Sequence, residues 1–111
     1  MEEEKKLPVT VSKIFNHDLD DIYKYGIATF GIRQAEFYEN EIWKLIESLS
    51  GAWKLFSECR HLPTKSKKYR WIILDSHLII YRITEKEIQV LRIVHSHRSI
   101  TRIKTSRRII K

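Results

Sequence analysis

The chain has 111 residues, 42% of them apolar and 32% charged, with a formal net charge of +7. That length supports one modest core and not two, and no run approaches the roughly 18–20 apolar residues of a membrane span. The charged start MEEEKK lacks the apolar centre of a secretory signal, and a lone cysteine, Cys59, excludes an intrachain disulfide, so a protein of the reducing cytoplasm is expected.

Residues 1–7 read as a flexible leader, in which Glu2, Glu3 and Glu4 offset the nearby lysines. PVTVSKIF (8–15) alternates Val9 and Val11 with Thr10 and Ser12 and predicts a first strand, with Pro8 at its start where a missing N–H does least harm. Asn16 or Asp18 is then the expected cap of a helix, whose positive end suits Asp18, Asp20 and Asp21. Leu19, Ile22, Tyr23, Ile27 and Phe30 recur at the spacing of one helical face, and Gly31 is the stop. A second stripe follows almost at once: Ala35, Tyr38, Ile42, Leu45, Ile46 and Leu49, closed by Gly51. Two amphipathic helices joined by so short a turn predict an αα-hairpin.

Residues 52–66 hold Trp53, Leu55 and Phe56 and then the polar stretch ECRHLPTKSKK. From Lys67 the apolar period becomes two. KYRWIIL (68–74), HLIIYRI (77–83) and EIQVLRIV (87–94) predict three strands joined by tight turns at Asp75-Ser76 and Thr84-Glu85-Lys86. With two-residue turns, one face carries Arg70, Ile72, Leu74, His77, Ile79, Tyr81, Ile83, Ile88, Val90, Arg92 and Val94. The other carries Tyr69, Trp71, Ile73, Leu78, Ile80, Arg82, Leu91, Ile93 and His95. Both faces are apolar at their centres, whereas a sheet covered on one side alternates more cleanly. One helical hairpin covers one face only, so a partner protein is the expected cover of the second. The fold class is α+β: a strand, an αα-hairpin on one sheet face, and a three-stranded antiparallel meander within residues 8–99. Residues 100–111, ITRIKTSRRIIK, form a basic tail, either an amphipathic helix through Ile100, Ile103 and Ile110 or an extended arm.

Charge is unevenly distributed. Residues 16–50 carry seven acids and three bases, and residues 51–111 carry fifteen bases and four acids. Such asymmetry points to a surface that meets an anion, either nucleic acid or an acidic protein segment.

Few motifs suggest chemistry. His95 and His97 have no Cys-x-x-Cys or His-x-x-x-His companions, so no metal site is expected. Cys59 lies beside Arg60 and His61, a setting that lowers a thiol pKa, but no nucleophile motif accompanies it. Gly26, Gly31 and Gly51 are too scattered to cradle a phosphate, so no cofactor is expected. Acid–base cleavage of RNA is the one catalytic candidate. It needs a base, an acid and cations for the phosphorane, for which His95, His97, Arg98, Arg92, Arg82, Arg70 and Lys67 are available.

The ordered set of a strand, the hairpin with DLDDIYKYG, a linker with Trp-Lys-Leu-Phe, and then KYRWIIL, HLIIYRI and IQVLRIVHSHR resembles the ParE branch of the RelE/ParE toxin superfamily. The likeness covers about residues 9–99, and its sharpest parts are Tyr81-Arg82 and Leu91-Arg92-Ile93-Val94-His95 followed by Arg98. It implies the toxin of a type II toxin–antitoxin (plasmid stabilisation) pair, wrapped by a cognate antitoxin that is usually acidic or disordered where it binds. ParE-like members are described as inhibitors of DNA gyrase, and RelE-like members as ribosome-dependent mRNA endonucleases. The nearly loopless hairpin favours the ParE side, and Trp71, Ile72 and Ile73 stand where the nucleases carry polar groups. The expectation is therefore a non-enzymatic gyrase inhibitor that meets target or antitoxin through Arg70, Arg82, Arg92, Trp71, Tyr81 and Arg98. The alternatives are an mRNA endonuclease using His95, His97 and Arg98 on the ribosome, and a non-toxic family member that binds nucleic acid through its tail.

Overall fold

Ser12 fixes the start of the architecture. In the computed structural model, which describes residues 5–97 and 99–110, its backbone N–H donates to Val90 O and its hydroxyl donates to Leu91 O. The same hydroxyl accepts from Phe15 N at 2.9 Å and so caps a helix. The first strand, β1, is therefore only Val9–Val11, and helix α1 runs Lys13–Phe30. Ser12, and not Asn16 or Asp18, is the cap, which places Ile14 and Phe15 in the helix rather than in the strand. Asp18 is thereby released for another role.

Gly31 ends α1 with φ +90°, a conformation costly for any residue with a Cβ, and donates its N–H to Ile27 O. Helix α2, Ile32–Ala52, starts at the next residue. The two helices approach closely at Gly26, where an added Cβ would lie 3.2 Å from the Ala35 Cβ. Of the predicted stripes, Leu19, Ala35, Ile42, Ile46 and Leu49 are buried. Ile27 and Phe30, near the hairpin tip, are exposed.

Strands β2 (Tyr69–Ile73), β3 (His77–Ile83) and β4 (Ile88–His95) form the antiparallel meander, and β1 adds parallel to β4, giving the order β1-β4-β3-β2. Both turns are tight: Leu74 N–H donates to His77 O, and Thr84 N–H donates to Glu87 O. The predicted alternation therefore holds along β2, β3 and the start of β4. It breaks at Leu91, because Tyr81 pairs with Val90 whereas Ile80 pairs with Arg92, a β-bulge that leaves Leu91 as the extra residue. Beyond it the faces exchange. Ile93 packs in the hairpin-side core, Val94 in the opposite cluster, and His95 stands across from His77. This corrects the predicted sides of Arg92, Ile93, Val94 and His95.

The second sheet face is covered by the chain itself. Tyr69, Trp71, Leu78, Ile80, Leu91 and Val94 pack against Cys59 and Leu62 of the connecting segment and against Ile103 and Ile109 of the tail. The expectation that a partner covers this face is thus overturned. A meander apolar on both sides needs two covers, and the loop and the tail together supply the second. The tail forms a short helix, α3 (Ile100–Thr105), followed by a 3-10 turn, Ser106–Arg108. Its buried seam is Ile103, Ser106 and Ile109, while Ile100 and Ile110 face outward.

Removing part of this cover tests its weight. Ile103→Ala deletes a fully buried side chain from the second cluster and is expected to lower unfolding stability by about 2–4 kcal/mol, measured by denaturant titration. A surface tail would give a change near zero.

Candidate functional site

A groove lies where the hairpin meets the β2–β3 turn and the end of β4. It has a volume of about 690 Å³ and is lined by apolar Leu19, Ile22, Ala35 and Ile42, with Tyr25 and Phe30 at its mouth. Asp21, Glu39 and Asp75 also line it, so an apolar floor carries acidic groups. Tyr25 and Phe30 are each 67% exposed, and Ile32 and Phe37 add to the apolar surface at the hairpin tip.

A polar chain closes one end of the groove. The Tyr38 hydroxyl and His77 Nδ1 share a hydrogen bond of 2.7 Å, and the His77 ring stands edge-on to His95, centroids 5.8 Å apart. His97 follows at 5.7 Å, its backbone N–H donating to His95 Nδ1. Burial, then the proximity of His95, holds His77 below its ordinary pKa, and burial, then Asp75, raises that of Tyr38. Both groups are therefore neutral near pH 7, and the imidazole tautomer sets which of them donates. The bulge at Leu91 creates this cluster, since without it His95 would face away from His77.

Of the sequence-predicted arginines, Arg70, Arg82 and Arg92 are elsewhere, and each of these three has a partner within the chain. Arg70 donates from Nε to Lys67 O and from Nη1 to Lys54 O and Phe56 O, pinning both ends of the connecting segment. Arg82 reaches the opposite face, where it donates to Gln89 Oε1 at 2.8 Å and to Ile109 O at 2.8 Å and so fastens the tail. Arg92 makes a bidentate pair with Asp18 at 2.9 and 2.6 Å, and the Asp18 carboxylate also accepts from Ile93 N–H. Tyr81 is fully buried and donates its hydroxyl to Trp53 O at 2.8 Å. Trp71 is buried beneath Arg60 and edge-on to His61. Arg98 lies outside the described residues. The predicted binding set thus does not form one surface: Arg70 and Tyr81 hold the linker, Arg82 the tail and Arg92 the first helix.

This geometry bears on the catalytic candidates. Cleavage by His95 and His97 needs cations beside them, whereas the groove next to them presents Asp21, Glu39 and Asp75. Among the described residues, no group of three or more His, Cys, Asp or Glu side chains is placed to hold a metal ion. Cys59 is buried, and burial pushes its thiol up in pKa, outweighing Arg60 and the backbone N–H groups that lower it. That reverses the effect expected from its sequence neighbours. No helix among the described residues is long and apolar enough to cross a membrane.

The groove itself and the roles of Tyr38 and His77 are not legible in the sequence. The i, i+3, i+4 stripe had flagged Tyr38 only as core, and nothing local links it to a residue 39 positions away.

Comparison with known proteins is consistent in kind. The family described as the ParE toxin of the type II toxin–antitoxin system, parDE, matches residues 9–100. A curated relative, Toxin ParE1 of Caulobacter vibrioides, is 27% identical over 88 residues, covering 79% of this chain and 88% of that protein. The fold matches a structure titled as the chromosomal ParDE TA system from P. aeruginosa with a TM-score of 0.67. That match has 22% identity and covers 82% of this chain and 97% of the other.

Two measurements check the geometry. The Asp18 and Arg92 side chains are 10% and 17% exposed, so Arg92→Ala is expected to cost roughly 2–4 kcal/mol, a little under the range for a fully buried pair. A double-mutant cycle with Asp18→Ala should return a coupling of about 1–3 kcal/mol. The second measurement is pH dependence. His77 has its pKa lowered from the ordinary 6.5 in the folded chain, so the unfolded chain binds the extra proton first. Its contribution is full above pH 6.5 and is lost as pH falls from 6.5 toward the lowered value. In His77→Gln, the acid-side decline in unfolding free energy should flatten over that window.

Proposed function

We propose, since this chain belongs to the ParE toxin family of type II toxin–antitoxin systems, that it arrests growth by binding DNA gyrase and is neutralised by a cognate antitoxin. The observation that carries the binding reading over a catalytic one is the disposition of the cations. Arg70, Arg82 and Arg92 are held by the linker, the tail and Asp18, and the histidine cluster adjoins acids. A phosphorane formed beside His95 and His97 would meet repulsion from that edge of the groove.

The antitoxin reading rests on the groove. An apolar trough with exposed Tyr25 and Phe30 at its mouth suits a helix or extended segment that buries aliphatic side chains and covers the aromatics. Asp21, Glu39 and Asp75 favour bases on that segment. The acidic antitoxin segment expected from overall charge therefore does not suit this groove.

Induced expression should arrest growth, and the purified chain should inhibit gyrase supercoiling of plasmid DNA. Supercoiling at the uninhibited rate with growth arrested would contradict the gyrase reading. New 5′ ends in cellular mRNA on primer extension would favour the endonuclease reading instead. For the antitoxin, Phe30→Glu should weaken binding by about tenfold or more in calorimetry, as loss of an aromatic anchor does. Unchanged affinity would exclude the groove mouth as its site.

A further inference from the structure

The side of the molecule away from the hairpin is roofed by two segments that lie far apart in the sequence. The tail places Arg102, Lys104, Arg107 and Arg108 on its outer surface while Ile103 and Ile109 point into the second cluster. The connecting segment does the same with Arg60, Lys65, Lys67 and Lys68 around buried Cys59 and Leu62. One side chain joins the two. Arg82 Nη1 lies 3.5 Å from the Tyr69 hydroxyl and 3.4 Å from Arg107 O, and the Lys68 ammonium sits over the Tyr69 ring. The loop cations and tail cations thus meet across a single guanidinium and form one continuous surface.

Among the described residues, none of these eight cations is in an ion pair. The one acid within residues 52–74 is Glu58, half-buried, with its carboxylate accepting from Thr64 N–H. The tail carries no acid. So high a density of like charge is self-repulsive, and a polyanion relieves it.

We propose that this roof binds the phosphate backbone of duplex DNA without sequence preference. Three features select that partner over other anions. The exposed residues between the cations include the hydroxyls Ser57, Ser66, Thr101 and Thr105, which suit phosphate oxygens. The aromatic rings on this face, Trp71 and Tyr69, lie buried under Arg60 and Lys68, so no platform remains on which single-stranded bases could stack. Neither segment contains Asn or Gln, residues that read adenine in the major groove. The inference does not rest on the identity of the toxin's target.

The test is fluorescence anisotropy of the full chain with a short labelled DNA duplex across a salt series. Log affinity should fall with log salt with a slope of about −4 to −5, since each phosphate neutralised contributes about −0.9. Replacing Arg102, Lys104, Arg107 and Arg108 together by Gln should reduce that slope by about 3. Replacing Lys65, Lys67 and Lys68 by Gln should also flatten it. Replacing Lys24, Arg33 and Lys44 on the hairpin by Gln should leave it unchanged. A slope unaffected by either roof set, or by one of the two, would overturn the continuous surface. Tighter binding to poly-glutamate, to single-stranded DNA or to an RNA duplex would overturn the choice of partner.

Discussion

Burial of β3 and β4 on both faces is the constraint from which the rest of the molecule follows. A sheet with Ile79, Tyr81, Ile88 and Val90 on one side and Leu78, Ile80, Leu91 and Val94 on the other must be covered twice. The αα-hairpin supplies one cover. The connecting segment and the tail supply the other, tied down by Arg70, Arg82 and Tyr81 through hydrogen bonds to backbone carbonyls. Because the two covers come from different stretches of sequence, they differ in charge. The acidic stretch lies over one face and the basic stretch over the other, so the asymmetry along the chain becomes an asymmetry across the molecule.

The bulge at Leu91 determines what that scaffold presents. It returns Ile93 to the hairpin-side core and sets His95 beside His77. Relative to a regular strand, one extra residue thereby exchanges an isolated histidine for a hydrogen-bonded polar cluster at the end of an apolar groove. The same residue leaves the β4 edge beyond β1 to be satisfied by a carboxylate, since Ile93 N–H donates to Asp18 instead of to a neighbouring strand.

Element order, both helical stripes, both tight turns and the register up to Val90 were legible in the sequence, because each is written in a local period of 3.6 or 2. The start of α1 was misplaced because Ser12 can serve either as the last residue of a strand or as a cap, and only its bonds to β4 decide between them. The bulge left no mark in the sequence: VLRIV alternates acceptably in either register. The fate of the arginines was equally hidden. A guanidinium on a strand reads as a solvent-facing charge, and whether it instead meets carbonyls of a distant loop depends on where that loop is folded. Tyr38 and His77, 39 residues apart, belong to the same category of long-range pairing. The charge imbalance was visible from the start, but its division between two opposite surfaces was not.

On this reading a groove in the acidic half and a basic roof are separate docking surfaces, the first of them for the antitoxin. Amide hydrogen exchange of the chain alone and in complex with its cognate antitoxin tests this most directly. Slowed exchange is expected in α1, in α2 and around Ser76 and His77, with residues 59–68 and 99–110 unchanged. Protection confined to those two basic segments, with the hairpin exchanging as in the free chain, would contradict it.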